Sequence, residues 1–242
     1  MLEIRNINKS YGNVHVLNDV SLNVAEGEIT VIVGPSGAGK TTLLQIAGSL
    51  LTPDTGYVEF NGTVINRLKE KKLAKFRNQN IGFIFQFHEL LPEFTATENV
   101  ALPALIGGMR RRKAMAKAKE LLEMLGLGHR LNHKPGELSG GERQRAAIAR
   151  ALINDPGIIM ADEPTGSLDT HNREEIQNLI ASLCEERGHT FLMVTHDASL
   201  ASIAHNVVTM RDGRIEKIEE RGKKEEETNE EKEEFDLDEK NS

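Results

Sequence analysis

The chain has 242 residues, with 38% hydrophobic residues, 37 acids, 30 bases, one cysteine and a formal net charge of −7 at pH 7. One cysteine excludes an intrachain disulfide, no apolar run reaches the ~18 residues of a membrane span, and MLEIRNINKS lacks the apolar core of a signal peptide. Ten acids and five bases fall from Arg221 onward (RGKKEEETNEEKEEFDLDEKNS), so the body is nearly neutral and offers no global basic field for nucleic acid. The length fits one large α/β domain over residues 1–220 with a small subdomain. The charged, aromatic-poor segment 221–242 is expected to be a disordered tail, with Phe235 and Leu237 as its only apolar docking points. Such a chain is expected to be soluble and cytosolic, and to reach a membrane only by recruitment to another protein.

LEIRNINKSY and VHVLNDVSLNV alternate loosely, as a half-exposed antiparallel layer does. Ile29–Val33 is continuously apolar, as in a strand buried on both faces. A helix is expected from Lys40, a strand over Gly56–Asn61 and a buried strand over Ile81–Phe85. From Thr95 to Leu127 the pattern is helical. ATENVALPALIGG breaks at its Gly-Gly, and RRKAMAKAKELLEMLGLG ends at Gly126. The basic run Arg110–Lys113 reads as a solvated helix start, although a phospholipid surface close by would also suit it. A helix from Gly140 to about Asn154 follows, then strand GIIMADE, helix HNREEIQNLIASLCEERG, strand HTFLMVTH and a short helix ASLASIAH. Cys184 sits in the second of these helices, where a thiol is usually a small buried hydrophobe. VVTMRDGRIEKIE closes the domain as a hairpin turning at Asp212-Gly213. There is no internal repeat. The expected fold is α/β, with a mainly parallel sheet, an antiparallel N-terminal layer and a helical insertion over about 90–155.

Gly34, Pro35, Ser36, Gly37, Ala38, Gly39, Lys40, Thr41 and Thr42 (GPSGAGKTT) match G-x-x-x-x-G-K-[ST] between a strand and a helix. The glycines allow a tight loop whose N–H groups point inward at phosphates. Lys40 can reach the β- and γ-phosphates, and the Thr41 hydroxyl suits Mg²⁺. The loop alone specifies only a nucleoside triphosphate, since small-molecule kinases, GTPases and motor ATPases share it. Strand IIMADE ends in Asp162 and Glu163, which a parallel sheet would aim at that loop. Asp162 suits the Mg²⁺ shell, and Glu163 could orient the attacking water. His196 ends the next strand and could bond a γ-phosphate, although a lone histidine there is more often structural. ELSGGERQR forms a second anion-binding helix start, with Ser139 as N-cap and Gly140 and Gly141 exposing backbone N–H groups.

Together these residues resemble the nucleotide-binding subunit of ATP-binding cassette (ABC) transporters, from about Leu2 to Ile218. LSGGERQR is similar to the family signature, Gln86 to the Q-loop glutamine, ADEPTGSLD to Walker B plus D-loop, and His196 to the switch histidine. The resemblance implies a P-loop NTPase (RecA-like) core with an inserted helical signature subdomain. It implies ATP with Mg²⁺, held by Thr41, Gln86 and Asp162, and catalysis by Glu163, His196 and Gln86. Tyr11 occupies the place of the aromatic that stacks on adenine. It further implies a head-to-tail homodimer, in which Ser139, Gly140 and Gly141 hold the γ-phosphate of the partner's ATP and Asp169 crosses the interface. Glu142, Arg143 and Arg145 read as helix-surface contacts.

Gln86–Val100 (QFHELLPEFTATENV) and GLGHRLNHKPGELSGGERQR resemble one branch, the ATP-binding subunit of lipoprotein-releasing (LolD-type) transporters. Ser167 stands where asparagine is commoner in that branch, and Ala146 where valine is; neither change removes a functional group. The branch implies separate integral membrane permease subunits, a peripheral position on the cytoplasmic face of the inner membrane, and no membrane insertion by this chain. Macrolide-export and cell-division motors share the LLP…T…ENV pattern and remain alternatives. A soluble ABC-type ATPase is a further one, although this chain has one cassette and lacks a long coiled coil. Phe87, Leu90, Leu91 and Phe94 fit either a groove for a partner's short helix or the subdomain's own core.

Overall fold

The computed structural model describes residues 1–221. Apart from Arg221, the tail expected over 221–242 lies outside the described residues. Strands β1 (Leu2–Tyr11) and β2 (Val14–Val24) form a hairpin, followed by β3 (Ile29–Val33) and helix α1 (Lys40–Ala47). Next come β4 (Thr55–Phe60), β5 (Thr63–Val64), α2 (Glu70–Asn80) and β6 (Ile81–Ile84). Helices α3 (Ala96–Ile106), α4 (Arg111–Met124) and α5 (Gly140–Leu152) are consecutive. The chain then runs through β7 (Ile158–Asp162), α6 (Thr170–Arg187), β8 (Thr190–Thr195), a 3-10 turn at Ala198–Ile203, β9 (Asn206–Arg211) and β10 (Arg214–Glu220).

The strands make two sheets. An antiparallel four-stranded sheet has the order β2-β1-β4-β5, and a six-stranded sheet has the order β10-β9-β3-β8-β7-β6. The second is parallel except for the β9–β10 hairpin. This is the mixed α/β architecture expected from the sequence, with the antiparallel layer at the N-terminus.

Strands β3, β7 and β8 are buried on both faces, which is why they read as continuous apolar runs, whereas β10 at the sheet edge is mostly exposed. Alternate residues serve opposite cores. Ile29, Val31, Ile159, Phe191 and Met193 pack with α3, α4, α5 and α6. Ile32, Met160, Leu192, Val194 and Val208 pack with α1 and the antiparallel sheet. Burying each such side chain contributes about 1.5–3 kcal/mol.

Helix α2 was not expected from the sequence. Its residues EKKLAKFRNQN include none that is fully buried, so no apolar stripe announces it. It is held from outside instead. Phe76 meets Phe60 edge-on at 5.5 Å, and the Arg77 guanidinium donates to the Ser49 carbonyl at 2.7 Å.

Strand register positions the functional groups. Val33 lies opposite Thr195, Asp162 opposite Val194 and Ile84 opposite Ala161. The carboxyl ends of β3, β8, β7 and β6 therefore form one edge, where ligands of open α/β sheets collect.

Candidate functional site

At that edge the loop after β3 turns directly into α1. Gly39 is the helix N-cap, at φ 94°. A Cβ there would lie 2.7 Å from the Val16 carbonyl oxygen and 2.8 Å from Leu17 Cδ2, so both conformation and space require glycine. A side chain at Gly34 would collide with the Met210 carbonyl. Lys40 is nearly buried, and its ammonium donates to the carbonyls of Gly34 at 2.8 Å and Pro35 at 3.0 Å. The loop's own carbonyls thus accept from the ammonium and hold its charge over the loop.

Thr41 Oγ1 donates to Asp162 Oδ1 at 3.2 Å. Burial pushes the Asp162 carboxyl above its ordinary range; the Thr41 bond opposes this and the neighbouring Glu163 charge adds to it. Glu163 follows in a left-handed conformation, φ 48°, a strain of about 1–3 kcal/mol for a non-glycine residue. Its surroundings hold it there. Its N–H donates to the Val194 carbonyl at 2.9 Å, Thr195 Oγ1 donates to Oε2 at 2.8 Å, and the His196 N–H donates to Oε1 at 2.9 Å. Glu163 is 13% exposed and His196 63%, so the carboxylate is fixed while the imidazole faces the opening.

These groups share one cleft of about 810 Å³. Its wall includes Ser36–Thr42, Gln86, Asp162, Glu163 and His196. Val14 and Val16 also line it, and the sequence offered no sign of them, because only the tertiary approach of β2 to Gly39 brings them there. Tyr11 is half-exposed, the cross-strand neighbour of Val14, with the Lys9 ammonium 5.6 Å from its ring centre; it does not line the cleft itself. The Thr41 hydroxyl, the Asp162 carboxylate and the Gln86 side chain are hard donors on one wall. They fit Mg²⁺, which takes one or two carboxylates plus substrate phosphates rather than a protein cage. Among the described residues no cluster of three His, Cys, Asp or Glu side chains could cage an ion alone.

Ser139, Gly140, Gly141 and Asp169 do not line this cleft. Ser139 caps α5. Its Oγ accepts from the Glu142 N–H at 3.2 Å, and Glu142 Oε2 accepts from the Ser139 N–H at 2.7 Å. Burial works against the Glu142 charge. The Ser139 N–H and the Arg130 guanidinium, 2.7 Å away, prevail and hold its pKa down to about 2. A side chain on Gly141 would run into Asn172 Oδ1. The same Asn172 donates through its N–H at 2.9 Å and Nδ2 at 2.7 Å to Asp169, the N-cap of α6. The Asn172 N–H holds the exposed Asp169 carboxyl below its ordinary range. Arg143 donates to the Leu138 carbonyl and Arg145 pairs with Glu175, each at 2.5 Å.

Of the four apolar residues after Gln86, Leu90 packs on the helical core, whereas Phe87 (72%), Leu91 and Phe94 are exposed. Beside them lies a groove of about 440 Å³ walled by Leu50, Phe83, Phe85, Glu89, Ile106 and Arg150. No helix among the described residues is long and apolar enough to cross a membrane.

The ABC transporter family profile matches residues 17–166. The lipoprotein-releasing system ATP-binding protein LolD of Bacteroides thetaiotaomicron is 56% identical over 217 residues, covering 90% of this chain and 100% of that protein. The LolD protein of Geobacter metallireducens is 51% identical over 219 residues, covering 89% of this chain and 97% of its own length. A dimeric, post-hydrolysis structure of the ATP-binding cassette MJ0796, bound to ADP and Pi, superposes with a TM-score of 0.84 at 42% identity, covering 92% of this chain and 100% of that one. Phosphate loop, paired carboxylates and signature helix thus stand on a backbone shared with known cassettes, and the chain belongs to the ABC transporter family as one of its ATP-binding cassette ATPases.

Proposed function

We propose that this chain is the ATP-hydrolysing motor subunit of a lipoprotein-releasing transporter, working as a head-to-tail pair beneath separate permease subunits at the cytoplasmic face of the inner membrane. One observation carries the pairing. The α5 N-terminus offers the open N–H groups of an anion site, yet it lies outside the wall of its own chain's cleft. A second copy supplies the missing wall. Ser139, Gly140 and Gly141 then close over the γ-phosphate from the opposite side, and Asp169 crosses the interface. Because ATP joins both surfaces, binding favours the closed pair by mass action and hydrolysis releases it.

Within one site, the Gly34–Thr42 loop and Lys40 hold the phosphates, Val14 and Val16 line the place for the base, and Tyr11, across from Val14, stacks on it from outside the cleft wall. Thr41, Asp162 and Gln86 would hold Mg²⁺, which neutralises phosphate charge when bound. Glu163 polarises the attacking water, and His196 bonds the γ-phosphate. Residues 1–220 form this nucleotide-binding domain, with the helical subdomain over about 90–155.

The relatives named LolD support the lipoprotein assignment over export of macrolides or a cell-division role. The groove between Phe85 and Ile106 suits a short amphipathic helix of a permease. Reconstitution of the chain with its co-purifying membrane subunits in proteoliposomes tests the cargo. ATP should release a lipidated protein to a soluble acceptor; ATP turnover with no release of lipoprotein would overturn the assignment.

A further inference from the structure

The segment after β6 is strained at one place. His88 and Glu89 are consecutive non-glycine residues with φ 65° and 49°. Such a pair persists only where its surroundings over-determine it. Two clamps do so. At the far end, the buried Asn99 of α3 accepts the Leu91 N–H at 2.7 Å and donates to the carbonyls of Leu91, Phe94 and Thr95. At the strained pair itself, the Arg150 guanidinium donates to the His88 carbonyl at 2.8 Å and to the Glu89 carbonyl through its second nitrogen.

Arg150 stands near the C-terminal end of α5, the helix that starts at the Ser139 cap. A 13-residue helix spans about 20 Å as one rigid rod. Gln86, two residues before His88, lines the nucleotide cleft, and its carbonyl accepts from Ser167 Oγ at 3.2 Å. One side chain thus ties the rod carrying the signature to the loop carrying Gln86. Arg150 also walls the groove assigned above to a permease helix.

We propose that Arg150 is a positioning residue that locks the Gln86 loop to the signature helix, so that movement of α5 or of a groove occupant is felt at Gln86. The planar guanidinium suits this task because it donates to two carbonyls at once, which a single ammonium point charge does less well. The link between groove and cleft rests on the transporter reading; the lock itself does not.

The test uses the full chain alone, without nucleotide or membrane subunits, and follows amide hydrogen exchange in Arg150→Met and Arg150→Lys. In Arg150→Met, exchange over residues 87–91 should accelerate at least tenfold, while α5 and β7 keep their protection. Arg150→Lys should fall between Met and wild type. Steady-state ATPase measurement on the same proteins should show kcat lowered at least fivefold in Arg150→Met with KM for ATP within about twofold, since the Gly34–Thr42 loop is untouched. Unchanged exchange at 87–91 would overturn the lock. Protection lost throughout α5 and β7 would reduce Arg150 to a general structural residue and overturn it equally. Neither outcome depends on cargo or dimerisation.

Discussion

His196 Nδ1 lies 2.7 Å from Glu163 Oε1, the oxygen that also accepts the His196 N–H. Both carboxylate oxygens are engaged, since Thr195 donates to the other. The left-handed Glu163 is therefore aimed by three donors from the strand end beside it. Glu163→Gln keeps the size and most of these bonds but removes the charge. Turnover should fall by about 10²–10⁴, while ATP affinity stays within about threefold. ATP should then hold a dimer that light scattering detects. A variant saturated with ATP and still monomeric would sink the shared-site arrangement.

Ser139 and Lys40 serve different clefts if the pair is head-to-tail. Ser139→Arg alone should abolish hydrolysis and leave ATP binding to the isolated monomer intact. Lys40→Ala alone should also be inactive. A mixture of the two contains heterodimers with one intact composite site, combining Lys40 from one chain with Ser139 from the other. Phosphate release should therefore reappear on mixing. Two inactive variants that stay inactive when mixed, although they associate, would argue that each chain completes its own site.

Gly39→Ala separates space from conformation. The added methyl meets the Val16 carbonyl and Leu17 at under 3 Å, and the left-handed backbone resists it as well. Gly12 is also left-handed, at φ 59°, but a Cβ there meets nothing within 4 Å. Gly12→Ala should cost about 1 kcal/mol, a fall in Tm of about 2–4 °C, with nucleotide affinity unchanged. Gly39→Ala should destabilise by more and weaken ATP binding over tenfold. Equal effects of the two on binding would show that the loop tolerates the methyl.

The phosphate loop, the carboxylates and the signature were legible because short motifs fix their backbone. GPSGAGKTT needs its glycines at fixed places, and the register of β3, β7 and β8 then aligns Asp162, Glu163 and His196 at the same edge. Long-range partners were not legible. Val16 reaches Gly39 only through the fold of the antiparallel sheet, and Arg150 reaches Glu89 across 61 positions. Helix α2 escaped because its half-buried face, Leu73, Phe76, Arg77 and Asn80, carries only two apolar residues, too few for an apolar stripe to stand out. Ser167 looked like a neutral departure from its branch, yet its hydroxyl bonds the Gln86 carbonyl.

Glu142 gives the signature helix a pH-dependent anchor. Its folded pKa, about 2, lies below the ordinary carboxyl value of 4.5. A depressed carboxyl contributes its stability fully above the unfolded pKa and loses it as pH falls through the folded one. The contribution is on the order of 2–3 kcal/mol near neutrality and fades between about pH 4.5 and pH 2. Glu142→Gln keeps an acceptor for the Ser139 N–H but loses the charge facing Arg130. Urea unfolding of wild type and Glu142→Gln should differ by that amount at about pH 6 and converge as the medium is acidified. His129 Nε2 sits 3.6 Å from the same Glu142 oxygen, so a His129→Gln background removes this second contact from the comparison. A difference that stays constant down to about pH 3 would mean that shape, not charge, makes the Glu142 cap.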